Sequence, residues 1–119
     1  MQYMLMCCFD EEAWAQMPET RRVAIMHETA EFIRGIVRSG HYRASARLQP
    51  TATTTTVRER NGKLVTTDGP FAETREQLGG YYLVECSDLD EALSIAGRVP
   101  SLRAGGAIEV RPVLPPPPW

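Results

Sequence analysis

The sequence predicts an α+β fold of the ferredoxin-like type, in which a β-α-β-β-α-β core carries one inserted hairpin. Strand-like segments alternate with two amphipathic helical segments, and the dipeptide Asn61-Gly62 marks a tight turn within the insertion. The 119 residues are 43% apolar and 24% charged, which is typical of one globular domain with a single core. We expect this domain to span residues 1–114 and to be followed by a proline-rich tail at 115–119.

The first strand and the first long helix are predicted near the start of the chain. Residues 3–9 are apolar at both alternating sets of positions, which indicates a strand buried on both faces. Asp10 is a suitable N-cap for a short helical turn. A long helix is predicted at residues 18–39, because Pro18 suits a first helical turn and Gly40 suits a stop. Its apolar stripe is predicted to contain Val23, Met26, Ala30, Ile33 and Val37, widened by Ile25, Phe32 and Ile36.

The middle of the chain has the character of strands. His41–Leu48 alternates weakly between apolar and polar side chains and is predicted to be the second strand of the core. The β-branched run Thr53–Val57 and the segment Leu64–Thr67 are predicted to pair as the inserted hairpin, because both positions of Asn61-Gly62 tolerate a positive φ.

The last core elements are predicted between Tyr81 and Arg111. Gly79-Gly80 is interpreted as a break before a third core strand at Tyr81–Cys86, which is again apolar at both sets of positions. An acidic helix start follows at Asp88, and Pro100 ends that helix. Ile108–Arg111 alternates strictly between apolar and charged side chains and is predicted to be the final strand.

The burial pattern of the strands predicts a homodimer. In a ferredoxin-like sheet the two helices cover one face and leave the other bare in a monomer. Two of the predicted core strands are nevertheless apolar on both faces, and a chain of this length has no second core sheet to cover them. We therefore expect two copies to pack sheet against sheet as a dimeric α+β barrel with twofold symmetry.

Composition and motifs exclude several classes of function. The formal net charge of −2 argues against nucleic-acid binding, and the longest apolar run is far shorter than the ~20 residues that a membrane helix needs. No basic-apolar leader opens the sequence, and its three cysteines form no CxxC motif. Neither a P-loop nor a GxGxxG motif is present. We expect a cytoplasmic protein without metal, cofactor or membrane partner.

One long segment carries a family resemblance. Residues 68–82, with the sequence DGPFAETREQLGGYY, resemble the signature of DGPF-type proteins in the YCII-related family, and residues 88–92 and 106–112 fit the same pattern. The resemblance implies a dimeric α+β barrel. Most such proteins have no assigned function. Some are encoded beside extracytoplasmic-function sigma factors, and one branch contains an enzyme that eliminates chloride from a hydroxylated aromatic compound.

The resemblance also implies a candidate catalytic pair, because a His–Asp dyad is proposed for other branches of the family. The aspartate of the motif is Asp68, and the position of the family histidine falls near Thr29, two positions from His27. The residues themselves allow three roles for Asp68: a turn cap, a general base, or an anchor for a polar substrate. His41 and then His27 are the candidate partners. Alternatively, His41 is exposed or interacts with the C-terminus of the long helix, and His27 is a solvent-side or boundary residue of that helix.

Four further side chains are candidates for substrate binding. Glu109 and Arg111 share one face of the final strand, where they would form either a salt bridge or a polar patch for an anionic or hydroxylated ligand. Arg47 shares a face of the second strand with Arg43 and Ser45, and could line a pocket or be solvated. The Tyr82 side chain is either a core residue or a phenol donor to a ligand.

Two functions are compatible with these residues. The first is a dimeric small-molecule-binding or regulatory protein, which family analogy connects to sigma-factor signalling. The alternative is a cofactor-free lyase or isomerase for a small hydroxylated or aromatic compound. In that alternative Asp68 is the base, a histidine is its partner, and Arg111 or Arg47 holds the anion.

Overall fold

A computed structural model describes residues 1–118 as an antiparallel sheet with helices on one face. The elements are, in chain order, β1 (Gln2–Phe9), α1 (Glu11–Gln16), α2 (Glu19–Arg38), β2 (Tyr42–Arg47), β3 (Thr55–Arg60), β4 (Lys63–Asp68), β5 (Gln77–Glu85), α3 (Leu89–Ala96) and β6 (Ala107–Pro112). Short 3₁₀ turns lie at Thr51–Thr53 and Pro100–Ala104. The main sheet has the order β2-β5-β1-β6 with antiparallel neighbours. This order is consistent with the predicted ferredoxin-like fold.

The core lies between the sheet and the helices α2 and α3. Leu5, Ile36 and Val84 are completely buried there, and Ile95 of α3 is almost so. The ring of Phe32 meets the ring of Tyr82 edge to face, with 5.1 Å between ring centroids. This packing joins α2 to β5 and fixes the distance between helix and sheet at that level.

The buried face of α2 is one part of the predicted stripe. Ile25, Phe32 and Ile36 are buried, whereas Val23 and Val37 are exposed. Both sets of apolar residues recur at helical spacing, so the periodicity alone could not choose between them. The larger side chains face the sheet because they remove more apolar surface from water.

Among residues 1–118, no helix packs against the second face of the main sheet. Residues of β1, β5 and β6 alternate in burial, and Tyr3, Leu5, Val84, Ile108 and Val110 contribute to the helix-side core. Their neighbours therefore project from the opposite side, which we call the open sheet face. Met4 and Leu83 are paired across β1 and β5 on this face, and both are half-buried. Arg111 lies beside Met4 on β6.

The inserted hairpin forms a two-stranded sheet of its own. Asn61 and Gly62 have φ values of 53° and 77°, as the predicted tight turn requires. Its first strand begins at Thr55 rather than at the predicted Thr53, because the preceding residues form a 3₁₀ turn. β4 is exposed along its whole length. The radius of gyration is 16.5 Å, compared with about 13.5 Å for a compact domain of this size.

Local sequence signals placed both acidic helix caps correctly. The Asp10 carboxylate accepts hydrogen bonds from the amides of Glu12 and Ala13 at the start of α1. The Asp88 carboxylate accepts one from the Glu91 amide at the start of α3. Among residues 1–118, no helix combines the length and the apolar character needed to cross a bilayer.

Candidate functional site

A cavity of ≈ 170 Å³ lies between the helix α2 and the helix-facing side of the main sheet. Its walls are mostly apolar or aromatic, and a few hydroxyl, thiol and charged groups interrupt them. The apolar walls include Phe9, Trp14, Ile25, Met26 and Ile33. The polar or charged lining residues include Cys7, Asp10, Thr29, Ser45, Arg47, Tyr82 and Ser101.

A glycine in the sheet forms the floor of this cavity. Gly80 of β5 pairs with Arg47 of β2 on one side and with Cys7 of β1 on the other. The row Arg47–Gly80–Cys7 therefore crosses three strands, and its middle position has no side chain. A Cβ atom at residue 80 would lie 2.7 Å from the Ala46 carbonyl oxygen. The missing side chain lets the strands pack closely and leaves open the space above them.

This floor corrects the interpretation of Gly79-Gly80 as a break before the strand. Both glycines lie within β5, and the pairing register between β1 and β5 shifts beside them. A Cβ atom on Gly79 would lie 1.9 Å from the Phe9 ring, which occupies that space instead. Glycine inside a strand often marks such a bulge or a close approach.

The inner end of the cavity carries a thiol and a hydroxyl. Burial raises the pKa of the Cys7 thiol to about 11, and the neighbouring Ser101 hydroxyl offsets part of this rise. Among residues 1–118, the buried Ser101 Oγ has no hydrogen-bond partner, so its contact with the Cys7 thiol is not a hydrogen bond. An unpartnered buried hydroxyl is costly, so this end of the cavity favours a polar group on a ligand.

A cation and a phenol, those of Arg47 and Tyr82, also line the cavity. Arg47 is exposed at the edge strand β2, and within the described chain no carboxylate lies within 4 Å of its guanidinium. Burial raises the pKa of Tyr82 to about 12, and the positive charge of Arg47 offsets part of that rise. Because its pKa is raised, Tyr82 remains a neutral hydrogen-bond donor at physiological pH. Ser45, also in the lining, has its Oγ 2.9 Å from the Tyr42 hydroxyl.

Asp10 is a carboxylate in the lining, but it is already engaged. Its Oδ1 caps α1, and its Oδ2 lies 3.5 Å from Arg75 Nε. Both oxygens of the Asp10 carboxylate therefore already have partners, and we assign this side chain to the start of α1 rather than to ligand chemistry.

The structure brings together only two of the predicted site residues, Arg47 and Tyr82. Arg43 was expected beside Arg47, but β2 is irregular between Tyr42 and Ala44, and Arg43 donates instead to the Gly40 carbonyl. Ser45 lines the cavity as expected. The sequence showed the alternation of β2 but could not show this irregularity.

Asp68 lies at the end of β4 on the projecting hairpin, and its side chain is exposed. It does not line the cavity. Among residues 1–118 its carboxylate accepts no hydrogen bond, so the turn-cap interpretation is not realised within one subunit; the turn is closed by the Gly69 amide donating to the Thr54 carbonyl at 2.7 Å. No hydrogen bond or ion pair within this range joins Asp68 to a histidine.

The two histidines lie outside the cavity lining. His41 Nδ1 is 2.7 Å from Ser39 Oγ, and its Nε2 is 3.1 Å from Glu91 Oε1. His27 is exposed on α2, whereas Thr29 lines the cavity and donates a hydrogen bond to the Ile25 carbonyl. The position that the family resemblance assigns to a histidine therefore faces the cavity, but this chain has threonine there.

Glu109 and Arg111 project from the open sheet face, as the alternation of β6 predicted. The Glu109 Oε2 and Arg111 Nη2 atoms are 3.9 Å apart, and both side chains are largely exposed. A pair with this geometry contributes little to the stability of a monomer. Neither residue lines the cavity, and both belong to the open sheet face.

Raising the pH above 9 is expected to lower the free energy of unfolding, and Cys7→Ala is expected to weaken this dependence. The pKa of the Cys7 thiol rises from 9.0 to about 11 on folding, so the folded chain retains a proton that the unfolded chain loses. The stabilisation is complete below pH 9 and disappears as the pH rises toward 11. Urea denaturation at several pH values measures the slope. Cys8→Ala is the comparison variant: burial also raises the pKa of that thiol, but by less, so it should weaken the dependence less than Cys7→Ala. Slopes unchanged by Cys7→Ala would contradict the assignment.

Comparisons with known proteins agree with this fold. The family model described as the YCII-related domain matches residues 1–117. An uncharacterized protein of Rhizobium meliloti is 38% identical over 117 residues, covering 95% of this chain and 92% of that protein. Among solved structures, 5-chloro-2-hydroxyhydroquinone dehydrochlorinase from Burkholderia phenoliruptrix, in complex with 2,5-dihydroxybenzoquinone, has a TM-score of 0.53 at 13% identity. That match covers 96% of this chain and 94% of the other, and it shows similarity of fold.

Proposed function

The chain belongs to the YCII-related family, and from this premise we propose that it is a homodimeric small-molecule-binding protein whose ligand occupies the cavity between α2 and the sheet. The main support for this proposal is the size and lining of the cavity. Its ≈ 170 Å³ is close to the volume of about 150 Å³ in which an engineered apolar protein cavity holds benzene. Apolar walls with a few convergent polar groups are the usual plan of a ligand site. A single aromatic ring therefore fits both its size and its lining.

The open sheet face supports the dimer. Met4, Met6 and Leu83 lie on it and are only half-buried in one subunit. A second copy of the same sheet would cover them and would also give Glu109 and Arg111 new partners across the twofold axis. We propose this sheet-to-sheet dimer as the assembled form.

The fold neighbour supports a ring-shaped ligand by analogy. The dehydrochlorinase has a similar chain fold and was captured with a dihydroxybenzoquinone. A common fold does not transfer an activity, so this likeness supports the size and class of ligand only. A cytoplasmic location, inferred from the cysteine content, and a regulatory role beside an extracytoplasmic-function sigma factor, inferred from the family resemblance, are further parts of the proposal.

The titratable groups of the cavity favour binding over turnover. Cys7 and Tyr82 both have a pKa well above neutrality, and Asp10 is engaged at the helix start. The alternative, a cofactor-free lyase or isomerase, uses Asp68 with His41 or His27. Since these three residues lie on separate elements away from the cavity lining, that alternative needs the second subunit to complete the site.

Binding of one-ring compounds to the purified protein tests this function. Phenol, benzoate and 4-hydroxybenzoate are added at increasing concentrations, and at least one is expected to raise Tm with saturation. Thr29→Leu, which adds volume inside the cavity, is expected to abolish the shift. His27→Leu, two positions away on the exposed side of α2, is the matched control. Absence of binding by every ring, or equal binding by Thr29→Leu, would overturn the proposal; turnover of a ring abolished by Asp68→Ala would favour the enzyme.

A further inference from the structure

The two ends of the cavity differ in chemistry, and this difference specifies the ligand. Arg47 and Cys7 flank Gly80 on opposite sides, so two strand spacings, roughly 10 Å, separate their backbones. Between these two residues, Gly80 contributes no side chain, so the part of the cavity above it is open on the side of the sheet. It is bounded by the apolar side chains of α2, among them Ile25 and Ile33. This part of the cavity, between Gly80 and the apolar side chains of α2, suits the flat, apolar part of a ligand.

The outer end selects a negative charge. The Arg47 guanidinium has no carboxylate within 4 Å among residues 1–118. The Tyr82 phenol, on the central strand β5, lies between the two ends: its pKa is affected by the Cys7 thiol and, to a smaller extent, by the charge of Arg47. A guanidinium and a neutral phenol are both hydrogen-bond donors. Together they suit a carboxylate or a phenolate, and a charge-assisted bond of this kind is stronger than a neutral one.

The inner end selects a second polar group. Ser101 Oγ is buried in the cavity lining without a hydrogen-bond partner in the described chain. Its hydroxyl can donate to a carbonyl or accept from a hydroxyl. The neighbouring Cys7 thiol, whose pKa burial raises to about 11, is protonated and neutral at physiological pH. A neutral hydroxyl or carbonyl on the ligand fits this end better than a second charge.

We infer that the ligand is a single aromatic ring with an anionic group at one end, held by Arg47, and a hydroxyl or carbonyl at the opposite end, held by Ser101. This inference rests on the proposed function and adds the orientation and the charge of the ligand. It gives two residues different roles: Arg47 binds the charged group of the ligand, and Ser101 binds its neutral polar group. Neither role requires a catalytic base.

Calorimetric titration with four probes tests the two ends separately. The probes are 4-hydroxybenzoate, its neutral analogue 4-hydroxybenzamide, benzoate and phenol. 4-Hydroxybenzoate is expected to bind most tightly. Loss of the charge is expected to raise Kd about tenfold or more, and loss of the para hydroxyl about threefold to tenfold. Arg47→Gln should remove the preference for 4-hydroxybenzoate over the amide, and Ser101→Ala should remove the preference over benzoate.

Arg43→Gln is the matched control, because Arg43 lies on the same strand and bonds backbone carbonyls outside the cavity lining. It is expected to leave all four affinities unchanged. Equal affinities for charged and neutral rings, or preferences unaffected by Arg47→Gln and Ser101→Ala, would overturn this inference while leaving the cavity as a ring site. Absence of binding by all four rings would overturn the proposed function itself.

Discussion

Leu83→Glu is expected to convert a homodimer into a monomer of 13.3 kDa. Leu83 lies at the centre of the open sheet face, opposite Met4 on β1 and Ala44 on β2. In a sheet-to-sheet dimer the new carboxylate would replace an apolar side chain next to Met4 and Ala44 and would lose its hydration. Burying an unpaired charge costs several kcal/mol, so we expect the dimer Kd to rise more than 100-fold.

Light scattering during size exclusion at micromolar concentration measures this change. Leu114→Glu is the matched control, because Leu114 is 89% exposed beyond the end of β6 and lies outside the open sheet face. Only Leu83→Glu should alter the mass. A wild-type protein that is monomeric at this concentration, or a Leu83→Glu protein that remains dimeric, would contradict the assembly.

Gly80→Ala is expected to destabilise the fold by about 1–3 kcal/mol. The added Cβ atom would lie 2.7 Å from the Ala46 carbonyl oxygen, which is backbone and cannot rotate away. Strands β2 and β5 would have to separate, and the Arg47–Gly80–Cys7 row would lose its spacing. The free energy of unfolding in urea measures the loss. Ring binding should weaken in the same variant, because the methyl group stands on the floor of the cavity.

Gly35→Ala provides the matched control for that substitution. Gly35 lies within α2, and a Cβ atom there meets nothing within 4 Å apart from the helix and its chain neighbours. Alanine in a helix is favoured over glycine by about 0.5–1 kcal/mol, so this variant should be more stable than wild type. A Gly80→Ala protein as stable as Gly35→Ala would contradict the close packing at residue 80.

Features that depend on neighbouring residues could be predicted from the sequence. The turn at Asn61-Gly62 follows from its tolerance of positive φ, and the caps at Asp10 and Asp88 follow from carboxylates placed just before helical turns. The order of the core strands and helices along the chain could also be predicted, because strands and helices have different hydrophobic periodicities. The alternation of β6 correctly placed Glu109 and Arg111 on the face opposite the helices.

The cavity could not be predicted because its parts come from distant segments. Arg47, Gly80 and Cys7 become neighbours only through the pairing of β2, β5 and β1. Glycine within an apolar run was a usable signal for a close approach, but it has the same appearance as a strand break. The suggested meeting of Asp68 with a histidine likewise depends on where the hairpin lies, and no local pattern fixes that position.

The location of ligand-induced changes in amide NMR shifts tests the central claim most directly. On titration with 4-hydroxybenzoate, the largest changes are expected at the amides of Cys7, Gly80 and Tyr82, which surround the cavity floor. The same titration of Thr29→Leu should leave these amides unchanged. Shifts centred on Asp68 and His41, with the amides of the cavity floor unaffected, would contradict the assignment of the functional site to this cavity.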